Sequence, residues 1–349
     1  MDYFSADYLT ARSRFRDAVL KTGGRLDSLG LRARGPASET LTIDAGWFGT
    51  DHPRSVLLHS SGIHGVEGFA GSAIQLHFLS RPPVVARNAA LVMVHILNPY
   101  GMAWLRRCNE NNVDLNRNFL PRAERYQGMP EGYALVNSLL NPSSKPHVDL
   151  FSIKAGWLMA RYGRSRLKEA VAAGQYEFQK GLFFGGTELQ EGPQVYRNYL
   201  INRLSMVRHV AAVDVHTGLG KPGHDTLLVD PNEFERLQKL FGNRVARLDA
   251  DRSVAYRVRG GLYEMLSEVF ANARIDFVGQ EFGTRGPLSV LHALREENRW
   301  HHYGSGGIDH PSKRRLRDAF CPRSTFWRES VLQRGHEVLE RSLRLLGGD

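Results

Sequence analysis

The hydrophobic positions of this chain follow two spacings, and each predicts one type of element. Runs of apolar residues, some alternating with polar ones, predict strands at residues 41–48, 55–59, 91–97, 210–215, 227–229 and 275–282. Apolar residues three and four positions apart predict helices at residues 3–21, 69–79, 195–207, 232–248, 262–270, 287–298 and 325–346, and a pair of helices within residues 150–173.

The order of these elements predicts the fold. The strand at residues 55–59 is followed by a helix, which Arg81-Pro82-Pro83 ends, and then by the strand at residues 91–97. Such a helix is the crossover that parallel strands require. We therefore predict an α/β fold with a single, mostly parallel mixed sheet and helices on both faces. With no internal repeat and no obvious linker, residues 1–349 are expected to form one domain, with residues 121–192 as an insertion or lid near a cleft.

Composition is that of an ordinary globular protein. Of the 349 residues, 42% are hydrophobic and 23% are charged, which allows a sizeable core. Cys108 and Cys321 are too few for a disulfide framework and are expected to be buried or half-buried free thiols. The first residues lack the pattern of a signal peptide, and no apolar run is long enough to span a membrane. A cytoplasmic protein without a membrane partner is therefore expected.

The formal net charge of +10 raises the question of a nucleic-acid partner. The basic residues are spread along the chain, with short clusters at residues 12–16, 161–168 and 313–317, and no basic stripe is interleaved with aromatic residues. Such a charge affects solubility and weak attraction to polyanions rather than fold. Specific binding of nucleic acid is therefore not expected, and the oligomeric state stays open.

Polar residues with metal-binding chemistry follow the second predicted strand. After the turn Ser60-Ser61-Gly62, the chain offers His64 and Glu67, three positions apart, just before a helix. A neutral imidazole and a carboxylate both suit Zn²⁺, so this loop is a candidate half of a zinc site. The alternative is a polar loop in which Glu67 only faces the N-terminus of the helix.

Two further strand ends complete the candidate site. His216 follows the strand at residues 210–215, and Glu281 lies near the end of the strand at residues 275–282. Ligands of open α/β sheets gather at the carboxyl ends of the strands, so these side chains are expected to meet the first pair. Two histidines and a glutamate are the open three-ligand set of a hydrolytic zinc site. Glu281 is the candidate that takes a proton from water and passes it to a leaving group.

Two aspartates are candidates for orienting the histidine rings through hydrogen bonds. Asp114 lies in the polar loop at residues 106–119, and Asp214 precedes His216 by two positions. If the strand continues this far, Asp214 and His216 point to the same face of the sheet.

Four motifs, in order and spacing, carry a resemblance to a known family. They are Ser61-Gly62-Ile63-His64-Gly65-Val66-Glu67-Gly68, Asn98-Pro99-Tyr100-Gly101 with Val113-Asp114-Leu115-Asn116-Arg117-Asn118-Phe119, Asp214-Val215-His216-Thr217-Gly218, and Gln280-Glu281-Phe282-Gly283-Thr284. The chain thereby resembles the zinc carboxypeptidase superfamily, including its succinylglutamate desuccinylase and aspartoacylase relatives. The resemblance spans about residues 56–284 and is closest to an uncharacterised bacterial branch, a domain of unknown function.

The resemblance implies a zinc carboxypeptidase-like fold of the phosphorylase/hydrolase type and one zinc ion. His64, Glu67 and His216 would bind the zinc ion. Glu281 would be the general base and acid, and Asp114 matches the partner of the first histidine.

The resemblance also assigns substrate contacts. Asn116 and Arg117 would hold the terminal carboxylate of the substrate, since the planar fork of an arginine can donate two hydrogen bonds to a carboxylate. Arg107 stands at the place of the arginine that polarises the scissile carbonyl, and Arg106 beside it is the alternative. One such donor can contribute about 3 kcal/mol to catalysis.

Three features depart from the family pattern. Val66 stands where carboxypeptidases often have arginine and deacylases asparagine. The usual active-site tyrosine of carboxypeptidases has two candidates, Tyr256 and Tyr263, between which spacing does not choose. Residues 121–192 have no counterpart in the family and could narrow the cleft to small substrates.

These features together predict a zinc-dependent hydrolase that cleaves an amide bond adjacent to a free carboxylate, in the manner of a metallocarboxypeptidase. The substrate would be a small peptide or an acyl-amino acid. Two alternatives stay open: an N-acyl-amino-acid deacylase of the aspartoacylase or desuccinylase kind, and a non-catalytic binding protein on the same fold.

Overall fold

A central sheet of eight strands organises the protein. The computed structural model describes residues 2–163, 166–167, 170–171, 173–248 and 258–347. The strands are β1 Arg25–Arg34, β2 Thr40–Gly49, β3 Ser55–Ser61, β4 Ala89–His95, β5 His209–Pro222, β6 Asp225–Val229, β7 Val245–Arg247 and β8 Arg274–Gly283.

The described helices precede, connect and follow these strands. They are α1 Tyr8–Lys21, α2 Gly68–Phe78, α3 Pro99–Ala103, α4 Tyr133–Leu140, α5 Phe151–Tyr162, α6 Glu191–Leu204, α7 Phe234–Phe241, α8 Leu262–Val269, α9 Pro287–Tyr303, α10 Pro311–Phe320 and α11 Thr325–Arg344. Two short 3₁₀ turns, Gly65–Glu67 and Leu115–Arg117, lie in the loops that carry the candidate site residues.

The strands lie in the order β1-β2-β4-β3-β5-β8-β6-β7. The four central strands β4, β3, β5 and β8 are mutually parallel, while the β1-β2-β4 edge and the β6–β8 pair are antiparallel. This arrangement confirms the predicted α/β fold with a mixed, mostly parallel sheet.

Two hydrophobic cores cover the two faces of the sheet. Side chains of a strand alternate between the faces, and on β3 Leu57 belongs to one core while Val56 and Leu58 belong to the other. Helices α1, α2 and α11 supply apolar residues to the first core, and α6 and α8 supply them to the second. Because both faces are covered, the central strands β3 and β4 are buried along their whole length.

The structure departs from the predicted elements mainly at the sheet edges. Strand β1 was not predicted, because its residues alternate between half-buried and exposed and include many charges. The helix predicted at residues 232–248 is wrong at its end: α7 ends at Phe241, followed by Gly242 with φ of 74° and then by the edge strand β7. Helix α10 was also missed, since basic residues dominate its sequence.

Both cysteines, Cys108 and Cys321, are buried and free. Within the described part of the chain, no helix combines the length and the apolar character that crossing a membrane requires.

Candidate metal centre

The predicted ligand residues meet at the carboxyl end of the central strands. Strand β3 ends at Ser61, and the following loop carries His64 and Glu67, while His216 lies on β5, the parallel neighbour of β3. His64 Nδ1 lies 3.0 Å from Glu67 Oε1, and His216 Nδ1 lies 3.4 Å from Glu67 Oε2. The two Nδ1 atoms are 3.3 Å apart. One ligand atom from each of the three residues therefore falls within 4.8 Å of the others.

The far side of each imidazole faces an aspartate. His64 Nε2 lies 3.0 Å from Asp114 Oδ1, and His216 Nε2 lies 2.7 Å from Asp214 Oδ2. Strand β5 continues to Pro222, so Asp214 and His216 share one face of the sheet. Each aspartate can hold a proton on Nε2 and leave Nδ1 as a lone-pair donor directed at the centre.

This donor set fits a divalent metal ion. Two Nδ1 lone pairs and a carboxylate that converge at such distances repel one another unless a proton or a metal cation lies between them. Imidazole nitrogen and carboxylate oxygen are ligands that Zn²⁺ accepts, and three protein ligands leave a position for water or substrate.

The charges around the ligands also favour a cation. Burial opposes the ionisation of Glu67, but His64, His216 and Arg107 hold the pKa of this carboxyl below its ordinary value. Burial would lower the pKa of His216, yet the carboxylates of Asp214 and Glu67 raise it well above its ordinary range.

Arg107 is the arginine that points into this cluster. Its Nη1 donates to Glu67 Oε1 at 2.9 Å, its Nε donates to Asp114 Oδ2 at 3.0 Å, and its Nη2 lies 2.7 Å from His64 Nε2. The ring of Phe183 covers the guanidinium at 5.6 Å. Arg106 points elsewhere, with its Nε donating to Glu297.

Backbone hydrogen bonds attach the arginine loop to the ligand loop. The N–H of Gly65 donates to the carbonyl of Arg107 at 3.1 Å, and the Asn98 side chain donates to the same carbonyl. A Cβ on Gly65 would lie 2.0 Å from the carbonyl carbon of Gly101 in α3. Glycine is therefore required where the ligand loop passes α3.

Asn116 and Arg117 lie on the 3₁₀ turn that Asp114 caps. The Asp114 carboxylate accepts the N–H of Asn116 at 3.1 Å, so the same aspartate that orients His64 also fixes this turn. The Asn116 side-chain oxygen accepts the N–H of Leu262 at 3.1 Å. Arg117 is buried, and its Nη1 donates to the Asn116 carbonyl at 3.1 Å. Both side chains line the cavity beside the metal centre.

Glu281 lies on β8 as the register partner of His216, so their side chains share one face of the sheet. Its Oε1 accepts the N–H of Leu219 at 2.9 Å. Burial, reinforced by the negative charge of Glu67, raises the pKa of Glu281 above its ordinary value. The carboxyl lines the cavity together with the three candidate ligands.

The cavity has a volume of about 590 Å³. Its polar end carries the side chains described above, and most of its remaining wall is apolar. Tyr263 lines it, whereas Tyr256, the other candidate for the active-site tyrosine, lies outside the described residues.

Sequence reasoning missed several contacts of the site. The Ser60 hydroxyl donates to Asp214 Oδ1 at 2.6 Å, and the N–H of Thr217 donates to Glu67 Oε2 at 2.9 Å. Ser60 and Asp214 are register partners on β3 and β5, so strand alignment could have revealed the first contact. Backbone donors such as Thr217 and Leu219 have no residue-type signal, and the contact of Phe183 with Arg107 joins residues far apart in the sequence.

Comparison with known proteins places the fold. The structure is similar to bovine thrombin-activatable fibrinolysis inhibitor in complex with tick carboxypeptidase inhibitor, with a TM-score of 0.51, 10% identity, and coverage of 99% of this chain and 98% of that chain. Carboxypeptidase A from Helicoverpa armigera gives a TM-score of 0.46 with 14% identity over 91% of this chain and 74% of that chain. Murein-tripeptide amidase MpaA from Escherichia coli O157 gives a TM-score of 0.38 with 16% identity over 79% of this chain and 92% of that chain.

At this identity the first likeness shows the fold alone, and it confirms the expected resemblance to zinc carboxypeptidases at that level. A comparison with curated protein sequences gives no significant match. One family model, described as "Protein of unknown function (DUF2817)", matches residues 4–334. That match spans nearly the whole sequence, and the chain therefore belongs to the DUF2817 family.

Proposed function

We propose that the protein is a zinc-dependent hydrolase that cleaves an amide bond adjacent to a free carboxylate. One observation carries this proposal: the Nδ1 atoms of His64 and His216 and the carboxylate of Glu67 converge within 4.8 Å at the wall of a cavity. Burying two imidazoles and a carboxylate together costs free energy, and such buried polar groups cluster at functional sites.

His64, Glu67 and His216 would hold one zinc ion, and Asp114 and Asp214 would orient the two imidazoles. When bound, zinc supplies a Lewis acid and allows water to act as a nucleophile at neutral pH.

The remaining side chains supply proton transfer and charge stabilisation. The Glu281 carboxylate is the group that would accept a proton from the attacking water and donate it to the leaving nitrogen. Its hydrogen bond from the N–H of Leu219 keeps the carboxylate directed into the cavity. Arg107 would donate to the oxygen that becomes negative during attack on the carbonyl carbon.

Asn116 and Arg117 are proposed to bind the free carboxylate of the substrate. Their place in the cavity wall supports this role, and Arg117 brings a positive charge to an otherwise acidic end of the cavity. Binding would exchange part of the present contact of Arg117 with the Asn116 carbonyl for contacts with the substrate.

A peptide and an N-acyl amino acid both present the required amide and carboxylate. The deacylase alternative gains support from the cavity, because side chains from the predicted insertion at residues 121–192 form part of its wall. A wall of this kind limits the length of peptide that can lie across the site.

Metal binding is the first test. Protein freed of metal by a chelator and titrated with zinc is expected to bind one ion per chain, and His216→Ala should weaken binding strongly. His209→Ala is the matched control, because His209 lies on the same strand and 2.8 Å from an aspartate, Asp276, but at the opposite end. Equal zinc affinity of the wild type and His216→Ala would contradict the proposal.

Catalysis is the second test. Zinc-loaded protein is screened with peptides of varied C-terminal residue and with N-acyl amino acids, and release of the free amine is measured. Glu281→Gln should retain one zinc ion and lose turnover by about 10²- to 10⁴-fold. A non-catalytic binding protein would instead bind these compounds without turnover, and with equal affinity in the wild type and Glu281→Gln.

A further inference from the structure

The cavity beside the metal centre opens into an apolar chamber. Helices α4 and α5, both within residues 121–192, line it on one side, and α9 lines it on another. Leu139, Leu158 and Leu291 are examples of its wall, and aliphatic side chains outnumber aromatic ones there. The charged groups that line the cavity belong to the site end, apart from Glu264 at the start of α8.

Helix α5 forms part of the wall of this chamber. Ala155, Leu158 and Met159 line the chamber, and Ala155 is only 6% exposed. On the opposite side of the same helix, Ile153 and Trp157 are 67% and 59% exposed. Only one side of α5 therefore contributes to the chamber, and substitutions on the two sides can be compared directly.

The whole cavity, including its polar end at the candidate metal centre, has a volume of about 590 Å³. This volume lies within the range of about 300 to 1,000 Å³ that is typical of pockets for organic ligands. The apolar part of its wall offers water few hydrogen-bond partners, which favours an apolar group as the occupant.

From this arrangement we infer that the chamber holds the long aliphatic acyl chain of an N-acyl amino acid. The inference rests on the proposed function and specifies its substrate: the free carboxylate lies at Asn116 and Arg117, the amide at the metal centre, and the chain between α5 and α9. Water adds across the amide bond, with hydroxyl to the acyl carbon and hydrogen to the nitrogen. The products are a fatty acid and an amino acid.

Aliphatic walls favour a flexible hydrocarbon chain because each buried methylene contributes about 0.8 kcal/mol of transfer free energy. If transition-state binding includes this burial, kcat/KM should rise by about fourfold for each added methylene until the chamber is full. A substrate whose apolar group is the amino-acid side chain would not show this dependence on acyl length.

The first experiment measures kcat/KM of the zinc-loaded enzyme for N-acylglycines from acetyl through octanoyl to dodecanoyl. In parallel, acetyl derivatives of glycine, leucine and phenylalanine vary the side chain at constant acyl length. A steep rise with acyl length is expected. Equal values for the acetyl and dodecanoyl compounds, or a gain confined to large amino-acid side chains, would overturn the inference.

A pair of substitutions on α5 tests the location of the chain. Ala155→Phe adds a ring to the chamber and should reduce kcat/KM for the dodecanoyl substrate at least tenfold while leaving the acetyl substrate nearly unchanged. Ala160→Phe is the matched control, because Ala160 is exposed on the same helix and does not line the chamber. Retained acetyl activity and an unchanged melting temperature show that Ala155→Phe is folded. If Ala155→Phe does not fold, Leu158→Phe repeats the test at a second position of the chamber wall.

Binding separates this inference from the proposed function. If neither peptides nor N-acyl amino acids are hydrolysed, the proposed function is wrong, and calorimetry with zinc-loaded protein then examines the chamber alone. Tighter binding of N-dodecanoylglycine than of N-acetylglycine, reduced by Ala155→Phe but not by Ala160→Phe, would support the chamber as an acyl site. Equal binding of the two compounds would reject it.

Discussion

Arg106 and Arg107 are neighbours in the sequence, yet their side chains enter two different buried clusters. Arg107 contacts Glu67, Asp114 and His64 at the candidate metal centre. Arg106, only 1% exposed, donates to Glu297 Oε1 at 2.9 Å. The same carboxylate oxygen accepts from Lys313 Nζ at 2.6 Å.

Burial and ion pairing are common to both clusters and therefore do not mark a functional site. Their charge balance differs: two cations meet one carboxylate, Glu297, in the Arg106 cluster. The candidate metal centre has more carboxyl groups than guanidinium groups, with Glu67, Asp114, Asp214 and Glu281 against Arg107 and Arg117. Among the described residues that line the cavity, none belongs to the Arg106 cluster. An excess of carboxyl groups beside a cavity suits a bound metal cation.

The largest effect is expected from Glu297→Gln. This change leaves Arg106 and Lys313 buried without their carboxylate and should lower the free energy of unfolding by about 3 to 5 kcal/mol. Guanidinium chloride unfolding measures this loss. Zinc stoichiometry and activity per folded molecule should stay the same. Glu329→Gln, at an exposed position of α11, is the control and should change stability little. A loss of zinc in Glu297→Gln with full stability would reverse the roles assigned to the two clusters.

The central part of the fold was predictable because its strands are buried on both faces. Strand β4, for example, is a continuous apolar run that few other structures accommodate. The edge strands β1 and β7 were not predictable from their own sequences, because their conformation depends on pairing with β2 and β6. Strand β5 also extends past its apolar core to Pro222, which pairs with Gly283 of β8 after a register shift that follows Thr217.

At the candidate site, residue types predicted which side chains come together but not how they are oriented. Histidine, glutamate and aspartate at strand ends have recognisable chemistry, and the structure brings His64, Glu67 and His216 within reach of one ion. The choice between Arg106 and Arg107 depends on the loop backbone, which is held by Gly65 and Asn98. The apolar chamber forms by tertiary packing between helices that are far apart in the sequence, so no local sequence pattern predicts it.

The second-largest effect is expected from Arg107→Gln. This change should reduce catalysis more than stability, whereas Glu297→Gln should reduce stability and leave activity per folded molecule the same. Removing the guanidinium that we propose to stabilise the reacting carbonyl oxygen should lower kcat/KM by about 10²- to 10³-fold. Stability of the zinc-loaded protein should fall less than in Glu297→Gln, because the bound cation still balances Glu67. Steady-state kinetics and thermal melts of the zinc-loaded form measure both quantities. Arg106→Gln is the matched control: it should unfold more readily and retain kcat/KM per folded molecule. Equal kinetic losses in the two variants would remove the distinction.

A smaller effect is expected on the pH dependence of stability, where the difference in the free energy of unfolding between the wild type and Glu297→Gln should shrink in acid. Burial opposes ionisation of Glu297, but Arg106, Lys313 and His301 lower its pKa from 4.5 to about 2. A carboxyl with a lowered pKa in the folded state stabilises the protein above its unfolded pKa, and this contribution is lost as the pH falls toward the folded pKa. The stability difference between the two proteins should therefore be full above about pH 5 and shrink between pH 4.5 and 2. Unfolding curves at a series of pH values measure it, and a difference that stays constant down to pH 2 would contradict the assignment.

The smallest effect is expected at Cys108, which follows Arg107 directly and is buried. Burial raises the pKa of its thiol to about 12, so the sulfur is neutral and should react slowly with thiol reagents in the folded protein. If the directions of the Arg106 and Arg107 side chains determine which residues form each cluster, a substitution at Cys108 should have little effect on stability or on zinc binding. Cys108→Ala is then expected to change the free energy of unfolding by about 1 kcal/mol or less and to leave zinc stoichiometry intact. Cys321→Ala is the control, since burial raises the pKa of that thiol equally. Rapid modification of Cys108 in the zinc-free protein, prevented by zinc, would place its sulfur at the metal centre and require a different ligand set.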